Sequence, residues 1–372
     1  MSSLLDYLEW RGDLTFLQSP FNPVDNLIMS LLSYFPFDGL VPGPEERGRP
    51  FVSLQEAAGR IFEKYGGLPR GAQLIPPQDG PEMLRRAAAS RRFGQTGITG
   101  YVNHVDPDRE VQFCALALSY RTARGPEGYL AFRGTDDTLV GWKEDFYMSF
   151  KEAIPAQLEA VAYVQKTARR LRGKLRLGGH SKGGNLAAYG GAFCGARIQR
   201  RIAAVYRNDA PGFNLRVLES PGYQAVRNRI HSFIPQTSVV GMLFENDDNY
   251  AVVKSRQSGL MQHDAYSWEV GPQDLVRLEK VTTASLFVDR TLKEWLAALE
   301  PRQLKEFVDA LFQILSSTGV STWTELSAGW LKNALTMLRS LNTMDRDAKA
   351  RMEKIIRSFL KAAARNFVRF LP

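Results

Sequence analysis

The chain has 372 residues, long enough for one large domain with an appendage or for two domains. With 44% hydrophobic and 23% charged residues, its usage is that of an ordinary globular protein, which argues against disordered, collagen-like and coiled-coil classes. No apolar run of about 18 residues is present, which argues against a membrane-spanning chain. The net charge of +9 is compatible with nucleic acid, an anionic membrane surface or a merely basic soluble protein.

Three stretches differ in texture. Residues 1–95 mix short apolar patches with turn signals such as Pro20-Phe21-Asn22-Pro23 and Pro42-Gly43-Pro44. Ser53-Leu54-Gln55-Glu56 is a capping box opening a short amphipathic helix through Ala57, Ala58, Ile61 and Phe62. This stretch is expected to be a helical cover packed on the core.

Residues 96–279 alternate strand and helix patterns. Ile98 to Val105, Val111 to Tyr120 and Tyr129 to Phe132 are strands by their β-branched and aromatic content, with a turn at Asp106-Pro107-Asp108. A helix through Ile154, Leu158, Val161 and Val164 precedes the strand Lys174 to Leu177. A glycine-rich turn then leads into a small-residue helix, Asn185 to Phe193, and further strands follow at Ile202 to Tyr206 and Arg229 to Ile234. The expected class is α/β, with a mostly parallel central sheet flanked by helices.

Residues 280–372 show helical spacing only. They hold 15 Lys+Arg against 9 Asp+Glu, so most of the net charge resides there. Within 349–369, seven basic residues accompany one acidic residue and an apolar stripe of Met352, Ile355, Ile356, Phe359, Leu360, Ala363 and Phe367. Such a tail either docks its stripe on the rest of the chain, the commoner outcome, or makes a peripheral contact with an anionic membrane. Nucleic acid is not expected as a partner, because the basic residues accompany no recognition motif. Cys114 and Cys194 sit in apolar or small-residue surroundings and are expected to be inert packing residues. Asp6, Glu9, Arg11 and Asp13 interrupt any signal-peptide core, so the expected location is cytoplasmic, with the inner membrane face as the place of any peripheral contact.

The chemistry is carried by Gly179-His180-Ser181-Lys182-Gly183. It matches G-x-S-x-G in a strand-turn-helix context, as a nucleophile elbow requires. The glycines permit the close turn, and a serine at a helix N-terminus has free amides beside it for an oxyanion. Of the four histidines, His104 precedes the serine, His180 lies inside the elbow and His231 lies in a strand. His263, in the loop Gly259-Leu260-Met261-Gln262-His263-Asp264, is therefore the candidate base if the order is serine, acid, histidine.

Gly179-His180-Ser181-Lys182-Gly183-Gly184 resembles the G-H-S-L-G-G box of class 3 (fungal-type) lipases, and Ala131-Phe132-Arg133-Gly134-Thr135 resembles their F-R-G-T segment. Trp142 and Asp145 follow at those lipases' W-x-x-D spacing. Together with Met1 to Pro42 and Gln262-His263-Asp264, the pattern also resembles a group of uncharacterised bacterial lipase-like α/β-hydrolases. The lipase resemblance spans about residues 95–270. It implies an α/β-hydrolase fold, an acyl-ester or lipid substrate, no cofactor or metal, and an oxyanion hole made by the amides of Lys182 and Thr135, with the Thr135 hydroxyl as a further candidate.

Two positions depart from that pattern. Class 3 lipases carry an aspartate just beyond the strand equivalent to Arg229 to Ile234, where this chain has Gln236-Thr237-Ser238-Val239-Val240. Asp209, at the end of the preceding strand, is the first choice of acid. Asp247 and Asp248 are the second, and a dyad oriented by Ser238 or a backbone carbonyl is the third. Lys182 replaces the usual leucine; it is read either as a solvated lysine in a helix's first turn or as a cation favouring an anionic substrate. Two functions follow: a serine ester hydrolase, or a catalytically silent protein that uses its pocket or tail for binding.

Overall fold

A computed structural model describes residues 2–46, 51–66, 79–106, 108–109, 111–135, 139–148, 151–244, 249–319, 336–337 and 345–370. Helices α1 (Leu4–Arg11), α2 (Pro23–Leu31), α3 (Leu54–Tyr65) and α4 (Gly80–Ala89) precede most of the sheet. Ser53 starts α3 by accepting the Glu56 amide, and the helix buries Leu54, Ala57, Ala58 and Ile61, as the amphipathic spacing predicts.

Among the described residues, nine strands lie side by side in chain order: β1 (Val52–Ser53), β2 (Gly97–Asp106), β3 (Val111–Thr122), β4 (Gly125–Phe132), β5 (Lys174–His180), β6 (Ile202–Asn208), β7 (Ile230–Pro235), β8 (Tyr250–Val253) and β9 (Arg277–Leu278). The sheet is mixed, which corrects the expectation of a mostly parallel one. Pairings from β4 to β8 are parallel, whereas β1 to β4 and the β8–β9 pair are antiparallel. The reason is connection length. Residues 107–110 and 123–124 are too few for a crossover, which needs about a dozen residues, so β2, β3 and β4 can only form hairpins.

The parallel strands from β4 to β7 are joined through α5 (Leu139–Tyr147), α6 (Pro155–Thr167), α7 (Lys182–Phe193), α8 (Ala196–Gln199), α9 (Leu215–Glu219) and α10 (Pro221–Val226). Strand alternation then divides the core in two. Leu116, Leu118, Tyr129 and Ala131 face a cluster shared with α1 to α4. Their neighbours Ala115, Ala117, Leu130 and Phe132 face the one shared with α6 and α7. Each large side chain buried this way contributes about 1.5–3 kcal/mol. Cys114 and Cys194 are buried and unlinked within these layers.

Helices α11 (Thr283–Ala297), α12 (Pro301–Ser316) and α13 (Arg346–Phe370) follow the sheet. The stripe on α13 is divided. Met352 and Ile355 are buried and Ala363 is half-buried, while Ile356, Leu360 and Phe367 remain exposed. Trp295 of α11 packs edge-on against Phe359 and donates from its indole to Ser358 Oγ at 3.1 Å. Arg365 pairs with Glu294 at 2.7 Å and Arg351 with Glu306 at 3.1 Å, so part of the tail's charge is spent on its own neighbours. Among the described residues no helix is long and apolar enough to cross a membrane.

Candidate active site

The parallel strands β5 and β6 end next to one another, and their last residues organise the site. Ser181 follows β5 with φ 59° and ψ −136°, a left-handed backbone that a non-glycine residue adopts at a cost of about 1–3 kcal/mol. Its amide donates to the Asn208 carbonyl at 2.9 Å, and its own carbonyl accepts the Gly184 amide at 3.0 Å. The turn closes so tightly that a Cβ on Gly183 would lie 2.0 Å from the Phe132 carbonyl oxygen, and one on Gly179 2.3 Å from the Gly183 carbonyl carbon. Both glycines are therefore demanded by close approach.

Asp209 follows β6 and also has positive φ, 44°. It is 1% exposed. Its Oδ1 accepts the Ser238 hydroxyl at 2.5 Å and the Gly241 amide at 3.0 Å, while Oδ2 lies 2.7 Å from His263 Nδ1. With a carboxylate at Nδ1, the ring carries its proton there and leaves Nε2 as the acceptor. Thus Ser238 holds the aspartate instead of orienting the histidine. Asp247 and Asp248 lie outside the described residues.

His263 ends a short 3-10 turn, Gly259–His263. The loop is anchored on both sides: Trp268, wholly buried, donates its indole N–H to the Gln262 carbonyl at 2.9 Å, and the Gln262 side chain accepts the Thr237 amide at 2.7 Å. His180 is the third anchor. Its Nε2 donates to the His263 carbonyl at 2.7 Å, and its Nδ1 faces the Tyr34 hydroxyl at 3.3 Å. Burial, and then the neighbouring His263, push the His180 imidazole down to about 3, so it stays neutral in this role. Its place inside the elbow excluded His180 as the base, and the sequence carried no signal of this second part.

On the other side of Ser181 stands the turn after β4. Thr135 is 3% exposed, and its hydroxyl donates to Asp145 Oδ2. A hydroxyl has one proton, so the donor Thr135 keeps for a ligand is its amide. The Trp142 side chain lies outside the described residues, though its backbone belongs to α5. Lys182 is neither solvated nor presented to a ligand as a surface cation, which corrects both readings of it. The side chain is 1% exposed and its ammonium pairs with the fully buried Glu144 at 2.9 Å. Glu144 had no sequence signal beyond its place beside Asp145.

His104 pairs with Glu159 near the C-terminal end of β2, and His231 stacks on Tyr206 in the sheet. Neither borders the site. Ser181, His263, Thr135 and Asp145 instead line one cavity of about 200 Å³. Its remaining wall is largely apolar: Leu31, Phe146, Met148 and Leu243 from the core side, and Leu292, Trp295, Leu296 and Leu304 from α11 and α12. Among the described residues, no group of three His, Cys, Asp or Glu side chains is arranged to hold a metal ion.

Residues 87–313 match the family described as Mbeg1-like, well over half of the chain. The chain belongs to the Mbeg1-like family. In this Mbeg1-like protein the matched stretch runs from the last residues of α4 through most of α12, so it includes the residues named for the site in this subsection other than Leu31 and Tyr34. No curated protein matches by sequence. Among solved structures, the M37 lipase is similar at 15% identity over 59% of this chain and 69% of its own, with a TM-score of 0.33. The Rhizomucor miehei lipase propeptide complex is similar at 14% identity over 54% of this chain and 64% of its own, with a TM-score of 0.32.

Proposed function

We propose that this Mbeg1-like protein is a serine hydrolase acting on carboxylic esters, with a lipase-like α/β-hydrolase core. The observation that carries the reading is the 2.7 Å contact between His263 Nδ1 and the buried Asp209 carboxylate, beside a serine in a strained strand-to-helix turn on the same cavity. The chain order serine, aspartate, histidine is that of α/β-hydrolases.

In this mechanism the Ser181 hydroxyl attacks the ester carbonyl and His263 Nε2 takes its proton. Asp209 stabilises the imidazolium and keeps the ring turned. The developing oxyanion is held by the amides of Lys182 and Thr135, each such donor being worth about 10²–10³ in rate. His263 then protonates the leaving alcohol, and water, activated by the same imidazole, releases the acid from Ser181. The apolar wall supports an ester with an apolar acyl group.

The competing reading, a catalytically silent protein, drew its support from the missing carboxylate after β7, and the Asp209 contact weakens that support. A fluorophosphonate probe tests the choice. The wild type is expected to be labelled and Ser181→Ala not. Equal behaviour of the two folded proteins would overturn the hydrolase.

A further inference from the structure

Lys182 occupies an unusual position for a lysine. Its amide follows the nucleophile, yet its side chain turns into the core and is 1% exposed. The ammonium donates to Glu144 Oε2 at 2.9 Å, to Gln112 Oε1 at 3.0 Å and to the Gln112 carbonyl at 3.2 Å. It also lies 3.6 Å from Asp145 Oδ1. Glu144, fully buried, accepts the Gln112 amide at 3.2 Å and the Ala156 amide at 3.0 Å. One ion pair thus joins α7, α5, β3 and the start of α6.

A buried pair is a poor device for stability alone, since apolar side chains of similar volume usually serve as well or better. What a pair adds is a fixed geometry. Here the geometry fixed is that of both oxyanion donors. The Lys182 backbone carries one. The other, the Thr135 amide, is held through the Thr135 hydroxyl by Asp145, the residue next to Glu144 on α5. We propose that Lys182 is a positioning residue for the oxyanion hole, its ammonium clamping α5 through Glu144 so that Asp145 holds Thr135 at the right distance from the Lys182 amide. This rests on the serine hydrolase reading. The Asp145 carboxyl fits the role: burial pushes it up to about 6, and the nearby Lys182 charge is the largest influence opposing that rise.

The test uses hydrolysis of p-nitrophenyl butyrate together with fluorophosphonate labelling. Lys182→Met should lower kcat about 10- to 100-fold, short of losing a whole donor, with KM within about twofold. Lys182→Met/Glu144→Gln, which removes the stranded charge, should regain the wild-type Tm while kcat stays at least about tenfold down. Asp145→Asn should show a similar loss, and combining it with Lys182→Met should cost less than about a further twofold, because both act through Thr135. Recovery of kcat along with Tm in the charge-neutral double variant would overturn the clamp, as would additive losses with Asp145→Asn. A wild type that is not labelled would remove the hydrolase reading and the clamp together. A labelled wild type with an unaffected, folded Lys182→Met removes the clamp alone.

Discussion

Two fully buried ion pairs sit on opposite faces of the sheet and invite comparison. Arg92 and Asp25, both with wholly buried side chains, meet through two contacts of 2.7 and 2.6 Å among the N-terminal helices. Arg92 also donates to the carbonyls of Leu14, Ser19 and Pro20, and Asp25 accepts the Tyr7 hydroxyl and the Asn22 amide. Every partner belongs to the first 25 residues, so this pair knots a cover together and reaches no atom of the cavity. Lys182 and Glu144 are equally buried, but their partners lie on strands and helices that converge on Ser181. The same interaction is thus put to two uses, and what differs is which backbone segments it joins.

The sharpest way to separate the two faces is to break the proposed chemistry and leave the N-terminal helices intact. Asp209→Asn should lower kcat about 10⁴-fold with Tm nearly kept, because the amide holds the wrong histidine tautomer; a rate within tenfold of the wild type would send the role elsewhere. The converse is Arg92→Met, which strands the Asp25 carboxylate. It should cost about 3–5 kcal/mol of stability in denaturant unfolding, while the folded fraction keeps its kcat. A kcat change there would break the contrast.

A smaller effect concerns pH. His180 is held to about 3 in the folded protein, below its ordinary 6.5, so the unfolded chain binds a proton that the folded one refuses. Its contribution to stability is therefore complete above about 6.5 and lost as pH falls toward 3. Asp145 acts in the opposite sense between about 6 and 3.8, because its folded carboxyl is the more readily protonated. Thermal melts from pH 7 to 3 should show His180→Gln with a shallower acid slope than the wild type. The smallest expected effect is Leu296→Ala in the cavity wall, which should shift preference toward bulkier acyl esters by about 10-fold in relative kcat/KM, leaving the fluorophosphonate reaction intact.

Much of the candidate site was legible because a tight glycine turn between strand and helix leaves local marks. The two glycines, the serine and the strand before them share one short segment, and His263 stood out because the other three histidines lay before the serine, within the elbow or in a strand. Asp209 was only one choice among several, since nothing in Asn208-Asp209-Ala210-Pro211 says that β6 and β7 will carry it under the His263 loop. Lys182 was misread for a similar reason. Its partners Gln112 and Glu144 are 70 and 38 residues away, and a lysine in a helix's first turn is ordinarily solvated. The sheet's mixed sense was in reach, because two of the connections among its first strands are too short to cross over. Strands β8 and β9, four and two residues long, carry too little pattern to be seen at all.

The sequence by itself determined the elements whose cause is local: the capped α3, the alternating strands, the glycine turn at Ser181 and the helical, basic C-terminal stretch. Tertiary structure alone decided which carboxylate meets His263, that the Lys182 charge is turned inward, and that α11 and α12 complete the wall of the cavity. The physical reason is range. Turns and caps are set by neighbours a few residues apart, whereas the protonation of His180 and the pairing of Lys182 depend on burial and on charges that only the folded chain brings together.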